Sequence, residues 1–253
     1  MVLVRSILFN VLFYLNLGVL LLAAIVTLLL PRKAILYMAM LWGRISVFLL
    51  RVICNTKVEV RGIEKLPKGP LIVAAKHQST WETFALLWLF DDFTFIVKRE
   101  LMLIPLFGWF MWKGRMVPVD RGAGAQALAA MTDLARAEIR SGRQLVIFPE
   151  GTRRPPGAPP RYKYGVVHLY AEVGVPCVPI ALNSGLFWPR RALTRMPGTI
   201  VVEILDPIPP GLGKDEFFAR LQDDIETATA RLVAEGQREL ARQGFAAATK
   251  TAA

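Results

Sequence analysis

The sequence predicts an α/β protein: a largely parallel mixed sheet of about seven strands covered by helices, preceded by a membrane-embedded helical hairpin. Three observations lead there. No residue from 7 to 30 is charged, and a helix of that length, rising about 1.5 Å per residue, matches a bilayer core of about 30 Å. Seven candidate strands follow, several of them short, β-branched and apolar on both faces, with helical patterns between them. Such alternation builds parallel sheets with both faces covered. The chain of 253 residues is 54 % hydrophobic yet carries a formal charge of +11, which suits an anionic membrane surface or a phosphate-bearing substrate.

The hairpin comes first. A cleavable leader has an apolar run of only about 7–15 residues ahead of small residues. Here the run is longer and ends in Pro31, Arg32 and Lys33, which predicts a retained membrane helix. A second apolar stretch, 34–53, is interrupted by Arg44 and Arg51. Arginine is costly at the bilayer centre, so these side chains face protein, reach headgroups or lie near the surface. Basic residues stand at every end (Arg5, Arg32, Lys33, Arg44, Arg51) and give no sidedness. That favours a hairpin lodged in one leaflet over two complete spans. Residues 1–55 read as the anchor, 56–236 as the α/β domain, and 237–253 as a disordered tail.

The predicted strands are 57–61, 71–75, 93–97, 116–119, 144–148, 177–182 and 199–205. Leu128, Met131, Leu134 and Ile139 mark one face of a helix that Gly142 stops. A last helix runs from Lys214 to about residue 235. Two loops at strand ends stand out: 152–165, rich in Pro, Gly and Arg, and 183–191, with Phe187, Trp188, Arg190 and Arg191. Cys54 and Cys177 lie far apart and, with two histidines, make neither a disulfide framework nor a zinc site. Both read as small buried hydrophobes in a reducing compartment. No nucleic-acid-binding signature accompanies the positive charge.

Polar clusters sit at three strand ends. Lys76, His77, Gln78, Ser79 and Thr80 follow strand 71–75. On one helix His77 and Glu82 would point about 140° apart, so they meet only if His77 lies in the loop and Glu82 on the first turn. There a carboxylate fixes the imidazole tautomer and stabilises the imidazolium. Ser79 and Glu82 also hold capping-box spacing, in which Glu82 bonds the Ser79 amide. Spacing leaves both roles open. After 116–119, Gly122, Gly124 and Ala127 match a degenerate dinucleotide fingerprint, but no acid follows on a second strand. The simpler reading is a helix N-terminus that holds a phosphate with Arg121, the bland one an Asp120–Arg121 salt bridge. After 144–148, Gly151 permits positive φ, Arg153 grips phosphate, and Glu150 holds that arginine or bonds an acceptor hydroxyl. Serine elbows, Walker loops and H-E-x-x-H are absent from the sequence. A base with an acid partner, beside phosphate-binding cations on a membrane-bound domain, suits proton abstraction from a hydroxyl of a phosphorylated lipid.

At these residues the chain resembles the glycerolipid acyltransferases. "HQSTWE" (77–82) is similar to their H-x4-D/E block, and "KRELMLIPLFGWF" (98–110) to the second. "GRMVPVDR" (114–121) resembles the segment ending in an acceptor-binding arginine, and "FPEGTR" (148–153) and "VPIALNSG" (178–185) resemble the third and fourth blocks. They occur in the family's order. The resemblance implies acyl transfer from an acyl-CoA or acyl carrier protein thioester to the sn-2 hydroxyl of 1-acyl-glycerol-3-phosphate (lysophosphatidic acid), giving phosphatidic acid. It implies neither an acyl-enzyme nor a metal or cofactor. It gives His77 and Glu82 the catalytic roles, Lys98 the oxyanion or phosphate, and Arg121, Glu150, Gly151, Thr152 and Arg153 the acceptor site. The implied partners are a phospholipid bilayer, the lipid acceptor and the acyl donor, not nucleic acid. The implied place is the inner, cytoplasmic membrane with the site facing the cytoplasm. The family's first block commonly ends in Asp, and the extra methylene of Glu82 leaves its reach to His77 open. Competing readings are another acceptor (glycerol-3-phosphate or a different lysophospholipid), a hydrolase in which His77 activates water, and a non-catalytic membrane-binding module.

Overall fold

The computed structural model describes residues 1–120 and 124–245. Two long apolar helices open the chain: α1 (Val2–Ala23), continued by a 3-10 turn (Ala24–Leu29), and α2 (Lys33–Cys54). They pack side by side, and the Asn16 amide donates to Ser46 Oγ at 3.3 Å between them. Both are long and apolar enough to cross a membrane.

All seven predicted strands form: β1 (Thr56–Arg61), β2 (Leu71–Ala75), β3 (Phe93–Lys98), β4 (Val117–Val119), β5 (Gln144–Ile147), β6 (Cys177–Leu182) and β7 (Gly198–Ile204). They make one sheet in the order β1-β7-β6-β2-β5-β3-β4. Every neighbouring pair is parallel except β6 with β7. The helices between and after them are α3 (Glu82–Ala85), α4 (Phe107–Lys113), α5 (Gly124–Arg140), α6 (Gly165–Val173), α7 (Ser184–Phe187) and α8 (Lys214–Arg242).

The central strand β2 is buried along its whole length because the sheet is covered on both sides. Leu71, Val73 and Ala75 face a core shared with α1 and α2, while Ile72 and Ala74 face α5, α6 and α8. The hairpin is therefore one covering layer of the fold. Phe9, Phe13, Leu36 and Leu50 join Phe84 and Trp188 in that core, each large side chain contributing about 1.5–3 kcal/mol on burial. The opposite face of α1 is bare, with Leu8, Leu15, Val19 and Leu22 exposed. On α2 the bare stripe is Tyr37, Leu41, Phe48 and Val52, and Arg44 shares it.

Two helices depart from expectation. In α5 the buried stripe is Met131, Ala135 and Ile139, while Leu134 is 47 % exposed; the i, i+4 row, not Leu134, meets the sheet. Helix α8, expected to stop near residue 235, runs on to Arg242, so 237–242 is helical and not a disordered tail. Leu240 is buried and Glu239 accepts the Thr199 amide at 2.9 Å, which pins this last part to β7. Residues 246–253 of the expected tail lie outside the described residues.

Candidate active site

The carboxyl ends of β6, β2 and β5 lie side by side. They deliver Ser184, His77 and the 148–153 segment to one place, the edge of an α/β sheet where ligands are accommodated. His77 sits in the loop after β2, and Glu82 is the first residue of α3. The condition set by their spacing is met.

Glu82 Oε2 lies 3.6 Å from His77 Nδ1, an ion-pair contact longer than a hydrogen bond. The same buried carboxylate accepts the amides of Gln78 at 3.1 Å and Ser79 at 3.0 Å, and the Ser184 hydroxyl donates to it. Ser79 Oγ in turn accepts the Trp81 amide at 2.9 Å. Capping and facing the histidine are compatible in one carboxylate. The imidazole stacks on Phe148, with centroids 4.0 Å apart and planes 18° apart. The His77 carbonyl accepts the Arg154 amide at 2.8 Å. Ring plane and backbone are both held.

A cavity of about 640 Å³ lies between the hairpin and the sheet and reaches His77, a size suited to a small-molecule or lipid ligand. Its apolar end is walled by side chains such as Phe13, Leu17, Leu36 and Trp42. The polar side of its lining comprises Thr80, Lys98, Gly151, Thr152, Arg153 and Arg190 together with His77. Gly151 has φ +63°, a left-handed conformation that glycine adopts freely, which turns the chain from β5 into this rim. Arg153 donates to Thr80 Oγ1, and Arg190 Nη1 donates to the Arg153 carbonyl at 3.0 Å. Lys98, at the end of β3, pairs with Glu100 at 2.7 Å.

One expected acceptor residue is not brought there. Glu150 is buried beneath the rim, where Lys76 Nζ holds it at 3.0 Å and also meets Glu226 at 2.6 Å. Burial pushes the Glu150 carboxyl above the usual carboxylate range, against the pull of Lys76. The carboxylate therefore serves this ion cluster and neither holds Arg153 nor lines the cavity. Arg121 lies outside the described residues; Asp120, its expected partner, meets Arg99 at 3.5 Å. Sequence reasoning gave no role to Ser184, Thr80 or Lys76. It flagged Arg190 only as part of a basic loop.

A family model described as Acyltransferase matches residues 57–183, about half of the chain. The chain belongs to the acyltransferase family. The matched acyltransferase unit begins at β1 and ends at Asn183, so it contains His77, Glu82, Lys98 and the 148–153 segment, while the hairpin, Ser184 and Arg190 lie beyond it. Among curated relatives, a 1-acyl-sn-glycerol-3-phosphate acyltransferase of Pseudomonas aeruginosa is 38 % identical over 163 residues, 64 % of this chain and 63 % of the relative. One of Cocos nucifera is 27 % identical over 206 residues, 81 % of this chain and 67 % of the relative. The alignment thus spans about two thirds of these acyltransferases' length. The crystal structure of the 1-acyl-sn-glycerophosphate (LPA) acyltransferase PlsC from Thermotoga maritima superposes with a TM-score of 0.75 at 24 % identity, covering 92 % of this chain and 99 % of that one. The likeness in fold thus reaches well beyond the matched unit.

Proposed function

We propose that the protein transfers an acyl chain from a thioester to the sn-2 hydroxyl of 1-acyl-glycerol-3-phosphate, forming phosphatidic acid. The observation that carries this reading is the position of His77, backed by Glu82 at 3.6 Å, where a deep apolar cavity meets a rim of cations. The cavity suits a lipid chain, the cations suit a phosphate, and the imidazole stands between them. The names of the relatives support the acceptor.

With Nδ1 turned to Glu82, Nε2 of His77 takes the proton of the acceptor hydroxyl as its oxygen attacks the thioester carbonyl carbon. Glu82 stabilises the imidazolium that forms. The tetrahedral intermediate collapses, the C–S bond breaks, and His77 returns the proton to the leaving thiolate. The acyl group moves directly to the acceptor. Arg153 and Arg190 hold the phosphate, and Lys98 reaches the same rim. Acyl-CoA and acyl carrier protein present the same thioester, and either serves as donor.

The hairpin is read as lying in the plane of one leaflet of the cytoplasmic membrane, with the site toward the cytoplasm. Arg44 on the bare stripe of α2 supports this, since a complete span would carry that guanidinium into hydrocarbon. The test of the chemistry is acyl transfer by purified protein and its His77→Ala variant, following acylated lipid and free thiol separately. Loss of both products in the variant, and matched amounts of the two in the parent, are expected. Undiminished transfer by His77→Ala refutes the base, and thiol release without acylated lipid makes the protein a hydrolase.

A further inference from the structure

We propose that the connection between β3 and β4 is a second membrane-docking surface, which inserts tryptophans at the headgroup level beside the hairpin. The inference rests on the reading of the hairpin as lipid-embedded. Within ten residues this connection exposes Leu103 (79 %), Ile104 (45 %), Trp109 (55 %) and Trp112 (74 %). Trp109 and Trp112 are three apart on α4 and share its outward face.

The inward face of α4 is fastened to the hairpin bend. Phe110 packs with Ala24 and Ile35, and Lys113 Nζ donates to the Leu28 carbonyl at 3.0 Å. At the same bend Leu29 is 89 % exposed. The tryptophan face is thus continuous with the bare face of the hairpin. The patch is also preformed: a Cβ on Gly108 would stand 2.0 Å from the Met102 carbonyl oxygen, so the segment is folded tightly on itself. Lys98, Arg99 and Arg115 flank it in ion pairs with Glu100, Asp120 and Glu138, and Lys113 stands beside them on the Leu28 carbonyl, a mixed polar border of the kind a headgroup layer accommodates. Tryptophan rings with basic neighbours favour the membrane interface over water or hydrocarbon.

Docking here has a consequence for the site. Phe107 and Met111 of the same helix line the cavity that reaches His77. A bilayer held against Trp109 and Trp112 sets that wall at the depth of the headgroups.

The full-length protein in vesicles of phosphatidylglycerol and phosphatidylethanolamine tests this. An environment-sensitive fluorophore is placed at Trp112→Cys, at Leu29→Cys on the bend, and at Arg220→Cys on α8; the two native cysteines are buried. Quenching by headgroup-nitroxide lipid is read against quenching by aqueous iodide. Loss of most fluorescence to the lipid quencher at positions 112 and 29, with none at 220, is expected. Quenching at 29 but not at 112 overturns the patch and leaves the hairpin reading intact. Quenching at neither overturns both. Shielding of position 112 that varies with protein density and not with the lipid quencher assigns the face to a second copy and also overturns the proposal.

Discussion

Oε1 of Glu82 is saturated by the Gln78 and Ser79 amides and the Ser184 hydroxyl, while Oε2 faces the Ser79 amide and His77 Nδ1. In Glu82→Gln one oxygen becomes a donor that meets the Ser79 N–H and no longer balances an imidazolium. We expect kcat to fall by about 10²–10⁴-fold, the scale of general acid–base catalysis, with KM for the acceptor little changed in steady-state assays. Ser184→Ala removes a bond to a buried carboxylate, so thermal unfolding should show a loss of about 1.5–3 kcal/mol. Arg190→Ala should raise KM for the phosphate-bearing acceptor about tenfold, or about 1.4 kcal/mol, without lowering kcat; an unchanged KM would remove Arg190 from the phosphate site. His77 and Glu82 were legible because five positions of chain bring them together. Ser184 meets Glu82 across 102 positions and Lys76 meets Glu150 across 74; no local spacing carries such contacts, and for that reason Glu150 read as a ligand when it is a buried ion-pair partner.

Among the elements, strands buried on both faces announce themselves as apolar runs, as β2 and β6 do, while the edge strand β1 shows the alternation of a half-buried strand. The end of α8 is different. Beyond residue 235 its face toward the protein is marked by a single large apolar side chain, Leu240. Its other anchor is Glu239, which bonds Thr199 and looks like any solvated acid in sequence. Leu134 misled for the converse reason, since a leucine at helical spacing also occurs on an exposed face. Leu240→Ala is the discriminating variant for α8. A buried leucine truncated to alanine costs about 2–5 kcal/mol, so Tm should drop clearly. A frayed helix end would lose nothing measurable.

At the scale of the molecule, hydropathy cannot distinguish apolar residues left exposed from those that meet the sheet, and α1 and α2 carry both. What the structure adds is how they are tied down. Near the start of α1, Asn10 donates to the Leu193 carbonyl at 2.9 Å and accepts from Arg195 at 2.9 Å. At the bend, Arg32 grips Asp92 through two bonds of 2.6 and 2.5 Å, and Asp92 also accepts Arg143 at 2.9 Å. Since the cavity lies between hairpin and sheet, these ties set its width. Burial pushes the Asp92 carboxyl up, but Arg32 and Arg143 together outweigh it and hold it below the usual range. A carboxyl depressed in the folded state stabilises the protein above its unfolded pKa of about 3.9, and that contribution fades as pH falls through the lower folded value. Asp92→Asn should therefore unfold at a lower temperature than the parent at pH 7, and the gap should close as both are acidified below about pH 4. If the two curves stay equally far apart into acid, the clamp is not the ionised pair seen here. With the bend released, lipid acceptor should also bind less tightly at pH 7, read as a higher KM, because one wall of its cavity is no longer fixed to the sheet.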